Sequence, residues 1–223
     1  MTPAPIASAG LLLLTAYLLG SIPTGYWAGK LLQGIDIREH GSKSTGATNV
    51  LRTLGKPAAI AVLVIDILKG MAALGLVRLI YAQGWFPALP NSWQDWLLIG
   101  TALLAMIGHS RSIFLNFTGG KSVATSLGVL FVLNLWLALG TLGTFLIVIA
   151  ISRIVSLSSI LAAIAASLVV LGLQLPLPYL VFTLIAGFYV ILRHRANIQR
   201  LLQGTEPKLG EKIPQTAAEE SVA

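Results

Sequence analysis

The sequence predicts an all-α, polytopic integral membrane protein of seven transmembrane helices, N-terminus out and C-terminus in. Three observations carry this expectation. First, 56% of the 223 residues are hydrophobic and 10% charged, with a mean hydropathy of +0.84. Soluble chains run at about 45–50% apolar and about 25% charged, so the surplus requires lipid as its solvent. Second, apolar stretches of the roughly 20 residues that cross a hydrocarbon layer recur along the chain. Third, the basic residues segregate to one side of those stretches. The chain has no cysteine, which excludes disulfides, a cysteine nucleophile and any thiolate metal site. A net charge of +7 suggests nucleic acid in a soluble protein, but here its placement decides and no nucleic-acid partner is expected.

Residues 1–29 carry no charged side chain. The apolar stretch 6–27 is too long for a signal-peptide core and has no basic leader, so it reads as a retained first span. The second runs from about 57 to 81, with Asp66, Lys69 and Arg78 inside it, and the third from about 96 to 113. Residues 122–152 are uncharged, long for one helix and short for two, with Asn134 as the one plausible turn; they supply the fourth and fifth spans, one of them short or broken. Residues 154–192 break at 174–178, where Pro176 and Pro178 cannot continue a helix, giving two antiparallel spans. With seven spans, Lys30, Arg38, Lys43, Arg52, Lys56, Arg111, Lys121, Arg153, Arg193, Arg195, Arg200, Lys208 and Lys212 share one face. The connections 82–95, Asn134 and 172–178 hold no Lys or Arg. Six spans would separate Arg153 and the tail from the first loop, so seven are preferred. Residues 1–204 are expected to form a single transmembrane catalytic domain and 205–223 a flexible cytoplasmic tail.

Polar residues concentrate on the basic side. The first loop reads DIREHGSKSTGATNVLR from Asp36 to Arg52; its glycines and hydroxyls, Ser42 and Thr48 among them, with Asn49 and Arg52, suit an anion. Asp66 and Lys69, three apart on a helix, neutralise each other as an ion pair. The third loop carries His109 and the string GGKS. A nucleotide-binding P-loop needs Gly where Leu115 stands, so that reading fails. Gly119, Gly120 and Lys121 before a helix start still suggest a phosphate cradle of free N–H groups, a helix dipole and an ammonium. Ser156 and Ser159 stand one turn apart, and His194 and Asn197 lie i, i+3 at the exit of the last span. No nucleophile elbow and too few intramembrane carboxylates for a metal cluster are present, so no cofactor or metal is expected. An anion transporter would need basic residues on the outer connections, which have none. A phosphatidyltransferase would need several intramembrane aspartates, and only Asp66 is available.

The stretches GSIPTGYWAGKLL, HGSKSTGATNVLRTLGK, VLVIDILKG, GHSRSIFLNFTGGKSVATSLG and HRANIQRLLQGTEPK, in this order, resemble the bacterial membrane acyl-phosphate:glycerol-3-phosphate acyltransferase family. The resemblance runs from Gly20 to Lys208. It implies seven spans in the bacterial cell (inner) membrane, an active site on the cytoplasmic face, and transfer of a fatty acyl group from acyl phosphate to the sn-1 hydroxyl of glycerol 3-phosphate. The products would be lysophosphatidic acid and inorganic phosphate, the first acylation of phospholipid biosynthesis, with an upstream acyl-phosphate-forming enzyme as a partner. It further implies catalytic roles for Ser42, Arg52, Lys121, His194 and Asn197. Thr48, Asn49, Asp66, Lys69, His109, Gly119, Gly120 and Ser159 would bind substrate, and Glu206 would be structural. The chain departs from the family's usual GSGN and GGKG at Lys43, Ser44 and Ser122, where altered loop geometry is expected and Ser122 is a candidate helix cap. The hydroxyl proton would leave on His194 or on a substrate phosphate, with phosphate favoured.

Overall fold

The computed structural model describes residues 3–211; Lys212 and the rest of the expected tail lie outside the described residues. Ten α-helices follow in order: α1 (Pro3–Ser21), α2 (Thr24–Gln33), α3 (Ala47–Leu54), α4 (Lys56–Gln83), α5 (Gln94–Ser110), α6 (Val123–Leu133), α7 (Leu135–Ser152), α8 (Val155–Gly172), α9 (Leu177–Arg193) and α10 (Arg195–Leu202). Among the described residues there is no strand, only an isolated Ser112–Thr118 bridge. Four apolar helical stretches are long enough to cross a membrane: Ala4–Gln33, Lys56–Gln83, Leu135–Ser152 and Val155–Gly172. The pair α9 and α10, bent by 63°, makes a fifth. Helices α5 and α6 have 17 and 11 residues.

The molecule is apolar on its outside, as a chain solvated by lipid must be. Leu68, Ile147, Leu168 and Phe188 are exposed, while the core is built from Leu74, Val77, Leu98, Met106, Leu137 and Phe182. Without a hydrophobic drive between helices in lipid, close backbone approach does the packing. A Cβ on Gly70 would collide with the Thr125 carbonyl and one on Gly128 with the Ile67 carbonyl, so α4 and α6 touch main chain to main chain.

Breaks in the helices have chemical causes and give intramembrane charges their partners. Pro23 interrupts the first apolar stretch between α1 and α2, and the Ile22 carbonyl beside it accepts from Lys69 Nζ at 3.0 Å. Asn134 ends α6 and caps α7, its Oδ1 accepting the Leu137 N–H at 3.0 Å. The unpaired carbonyl of Leu133 takes Arg78 Nη2 at 2.9 Å. The turn at 173–176 reverses α8 into α9, with Pro176 at the cap and Pro178 in the first turn of α9.

Candidate active site

The first loop is organised by one amide. Asn49, at the start of α3 and 1% exposed, accepts the Ser42 N–H at 2.8 Å and donates to the carbonyls of Ile37, His40 and Ser44 at 3.0, 3.0 and 2.8 Å. Asp36 caps a 3₁₀ turn through the Arg38 N–H and pairs with the Arg38 guanidinium at 2.6 Å. Arg38 Nη1 reaches Thr118 Oγ1 at 3.1 Å, which fastens the first loop to the third. Arg52, on the next turn of α3 from Asn49, hydrogen-bonds to no protein group among the described residues. Burial disfavours its charge and the Glu206 carboxylate favours it.

The turn 119–122 is held by the end of α5. The Gly120 N–H donates to the His109 carbonyl at 3.2 Å, so it is not the free donor that the GGK string suggested. A Cβ at Gly120 would strike the His109 ring and one at Gly119 the His109 carbonyl; glycine is required here by contact. Arg193 caps the turn from the other side, Nη2 donating to the carbonyls of Gly119 and Gly120 at 3.4 and 3.0 Å. Ser122 precedes α6 but makes no side-chain cap. Its φ of 63° turns the hydroxyl inward, where it donates to the Met106 carbonyl at 2.6 Å. Behind the turn lies a buried polar cluster in which Lys69 Nζ stands 2.8 Å from both Asp66 Oδ1 and His109 Nδ1. Thr24 Oγ1 donates to Asp66 Oδ1 at 2.6 Å.

Lys121 extends from this turn to the C-terminal segment. Its Nζ donates to Asn197 Oδ1 at 2.6 Å, and Asn197 Nδ2 donates to Glu206 Oε1 at 2.6 Å. Glu206 also accepts from Ser156 Oγ at 2.7 Å and from Arg200 Nε at 2.7 Å. Burial raises the Glu206 carboxyl, but its hydrogen bonds to Asn197, Ser156 and Arg200 outweigh that and hold it below its ordinary value. Burial, with the nearby cations of Arg200, Arg52 and Arg193, lowers the Lys121 ammonium to about 8, against the pull of Glu206. His194 sits at the break between α9 and α10, its Nδ1 2.7 Å from the Val190 carbonyl. That contact makes Nδ1 the protonated nitrogen and leaves the Nε2 lone pair free. Burial, and then the Lys121 charge, lower His194 to about 4, so it is neutral at ordinary pH.

Two cavities meet among these residues. One, of about 490 Å³, runs from the polar residues between α4, α6, α7, α8 and α9, and is walled by Ile67, Leu127, Phe131, Phe145, Ala162, Ala166, Phe182 and Ala186. The other, of about 600 Å³, is basic, with Lys43, Arg52, Arg111, Lys121, Arg193, Arg195 and Arg200 around it. Ser42, Arg52, Lys121, Asn197 and Pro207 line both. The arrangement presents cations where an apolar groove ends, which suits a molecule with an anionic head and a long apolar tail beside a second, polar anion.

The residues singled out in the sequence divide by position. Ser42, Arg52, Lys121 and Asn197 border both cavities, while Thr48, Asn49, Asp66, His109, Ser159 and His194 border the apolar one. Gly119, Gly120 and Lys69 stand behind the walls. Arg193, Arg200 and Ser156 join the site through contacts that the sequence did not single out. Nothing in the string RHR distinguishes an arginine that caps the glycine turn from one at the headgroups.

The profile of the glycerol-3-phosphate acyltransferase family matches residues 10–204. The glycerol-3-phosphate acyltransferase of Synechocystis sp. is 69% identical over 100% of both chains, and that of Thermosynechococcus vestitus is 53% identical over 90% of this chain and 95% of its own. Among solved structures, PlsY (YgiH), an integral membrane glycerol 3-phosphate acyltransferase, in its glycerol 3-phosphate form superposes with a TM-score of 0.81 at 40% identity, covering 91% of this chain and 96% of that one. Its lysophosphatidic acid form gives 0.79 at 39% with the same coverage.

Proposed function

We propose, for a chain that belongs to the glycerol-3-phosphate acyltransferase family, that it transfers a fatty acyl group from acyl phosphate to the sn-1 hydroxyl of glycerol 3-phosphate, releasing lysophosphatidic acid and inorganic phosphate. The observation that carries this is the junction of an apolar cavity and a basic one at Ser42, Arg52 and Lys121. The acyl chain lies in the apolar cavity, glycerol 3-phosphate in the basic one, and the cations at the junction offset the repulsion between two phosphates. Ser42 and Ser159 add hydroxyl contacts, and Thr48 lies along the same wall. Asn49 shapes the first loop rather than touching substrate, since its amide is fully engaged by backbone. Asn197 fixes the Lys121 ammonium, Gly119 and Gly120 let the turn approach α5, and Asp66, Lys69 and His109 support it.

Acyl phosphate is an activated mixed anhydride, so the catalyst's main task is to align two anions. The sn-2 hydroxyl of glycerol 3-phosphate donates to His194 Nε2, which orients the neighbouring sn-1 hydroxyl toward the acyl carbon. A histidine held near 4 is a weak base, whereas a phosphate monoester has a second pKa near 6. Phosphate therefore takes the proton as the hydroxyl oxygen bonds the acyl carbon.

The same reading makes seven spans, formed by α1 with α2 and by α4 to α9 without further breaks, with the N-terminus outside and the site on the cytoplasmic face of the bacterial inner membrane. It is supported by the one-sided basic residues. Helix α6 is about 16 Å long, shorter than a hydrocarbon core of about 30 Å, so the glycine turn before it dips below the headgroups.

The test supplies purified protein in detergent with glycerol 3-phosphate and either palmitoyl phosphate or palmitoyl-CoA, and locates the acyl group on the product. Formation of 1-acyl product from palmitoyl phosphate alone supports the reading. Equal use of the thioester, a 2-acyl product, or phosphate uptake into sealed vesicles without any product would overturn it.

A further inference from the structure

The buried cluster beneath the glycine turn sets the proton position on His109, and that has a chemical consequence. Asp66 is 1% exposed, Lys69 5% and His109 7%. The Lys69 ammonium has three protons and three acceptors in reach: Asp66 Oδ1 at 2.8 Å, the Ile22 carbonyl at 3.0 Å and His109 Nδ1 at 2.8 Å. An ammonium offers only donors, so Nδ1 must present its lone pair. Asp66 Oδ1, at 3.5 Å from Nδ1, is too far to claim a proton from it. The neutral ring therefore carries its hydrogen on Nε2. That nitrogen has no hydrogen-bond partner among the described residues, on a side chain that is more than nine-tenths buried and borders the apolar cavity.

We infer that the Nε2–H of His109 is a catalytic hydrogen-bond donor to the acyl carbonyl oxygen of the acyl phosphate, with Asp66 and Lys69 as positioning residues that lock its tautomer. The inference rests on the acyl-phosphate reading above and deepens it. His109 borders the apolar cavity and not the basic one, and its ring packs against Gly120, the residue before Lys121 of the junction. A bound acyl phosphate puts its phosphate at the shared cations and its chain in the groove, so the carbonyl falls between them. A Cβ at position 120 would strike His109 Nε2 itself, so glycine is what leaves room at that nitrogen.

In the transfer, the glycerol 3-phosphate oxygen bonds the carbonyl carbon and the carbonyl electron pair moves onto oxygen. His109 Nε2–H bonds that oxyanion, in a water-poor site where a preset donor is most effective. The pair then returns, the bond from carbonyl carbon to phosphate oxygen breaks, and inorganic phosphate leaves with the hydroxyl proton. His109 keeps its own proton throughout. Its role is thus opposite to that of His194, which presents a lone pair.

The experiment compares wild type, His109→Phe and His109→Gln in detergent, measuring kcat for acyl transfer from palmitoyl phosphate and the inhibition constant of dodecyl phosphate, which has a phosphate head and an apolar chain but no carbonyl. Loss of one oxyanion donor lowers kcat about 100-fold or more in His109→Phe, while dodecyl phosphate binding changes by less than about 3-fold. His109→Gln, which keeps an N–H near Nε2 but equally deprives Lys69 of the ring, recovers at least about 10-fold of that loss. Parallel changes in kcat and dodecyl phosphate binding, or no recovery by glutamine, would mean a structural role and overturn the inference. Nitrogen-15 shifts of histidine-labelled wild type keep the test open should a variant fail to fold: Nδ1 unprotonated supports it, Nδ1 protonated overturns it. Wild type that makes no product from palmitoyl phosphate would instead defeat the acyl-phosphate reading.

Discussion

At the scale of single residues, charge placement was legible, and so was the local pair of Asp66 and Lys69, whereas charge partnership across the chain was not. The cations Arg52 and Lys121 and the polar pair His194 and Asn197 stand out in the sequence because lipid rejects them. Which of them faces a ligand and which holds a neighbour depends on contacts across more than 70 positions, as between Lys121 and Asn197. The depressed Lys121 ammonium has a direct consequence. Its charge is present below about 8 and lost as pH rises through that value, while glycerol 3-phosphate is a dianion above about 6. The KM for glycerol 3-phosphate is therefore lowest between these limits and rises on the alkaline side. Lys121→Arg, whose charge persists, moves that limb to higher pH in a pH-rate profile.

The two departures from the family pattern also differ in kind. Lys43 and Ser122 both adopt left-handed backbone, with φ of 55° and 63°, a conformation that costs a non-glycine residue about 1 kcal/mol. Exposed Lys43 makes no side-chain hydrogen bond or ion pair among the described residues, and its N–H bond to the His40 carbonyl survives in glycine, so Lys43→Gly raises stability by about 0.5 kcal/mol after its unfolded-state entropy is counted. Ser122 is fully buried and bonds the Met106 carbonyl. Ser122→Gly therefore lowers stability by about 1 kcal/mol. Thermal unfolding in detergent reads both signs.

At the scale of elements, turn chemistry showed where helices end. Asn134 and the prolines at 176 and 178 marked their turns because each has a fixed backbone preference. The break at Pro23 was missed because the apolar run continues through it, and composition outweighed one residue. The 63° bend at His194 has no proline or glycine to announce it. It matters because α10 and the following strand of chain carry Asn197 and Glu206 back over the cavity. Glu206 gathers Ser156 of α8, Asn197 and Arg200 of α10 on one carboxylate. Glu206→Ala leaves those donors unpaired and releases Lys121, costing about 2 kcal/mol of stability. It also lowers kcat/KM at least about tenfold, since one tenfold step corresponds to 1.4 kcal/mol of lost positioning. Steady-state kinetics with a melting curve on the same sample checks it.

At the scale of the molecule, composition specified the solvent and the distribution of arginine and lysine supports the side proposed for the site, whereas the cavities were invisible. The apolar walls come from five helices, and the small residues Ala162, Ala166 and Ala186 that hollow out the groove look like ordinary packing residues in a sequence. The proposed topology makes a plain prediction. Single cysteines introduced at Lys43 and at Asn91, in a chain with none of its own, react from opposite faces of sealed vesicles with a membrane-impermeant maleimide. Labelling of both from one face would refute seven spans.

The central claim is that one set of cations at the meeting of two cavities serves both substrates. Titration calorimetry of wild type and Lys121→Ala, with glycerol 3-phosphate and separately with dodecyl phosphate, tests it most directly. Loss of one charge-assisted contact of about 1.5–3 kcal/mol weakens both ligands by at least about tenfold. Weakening of one ligand alone, with the other bound as in wild type, would contradict a shared junction and separate the two cavities chemically.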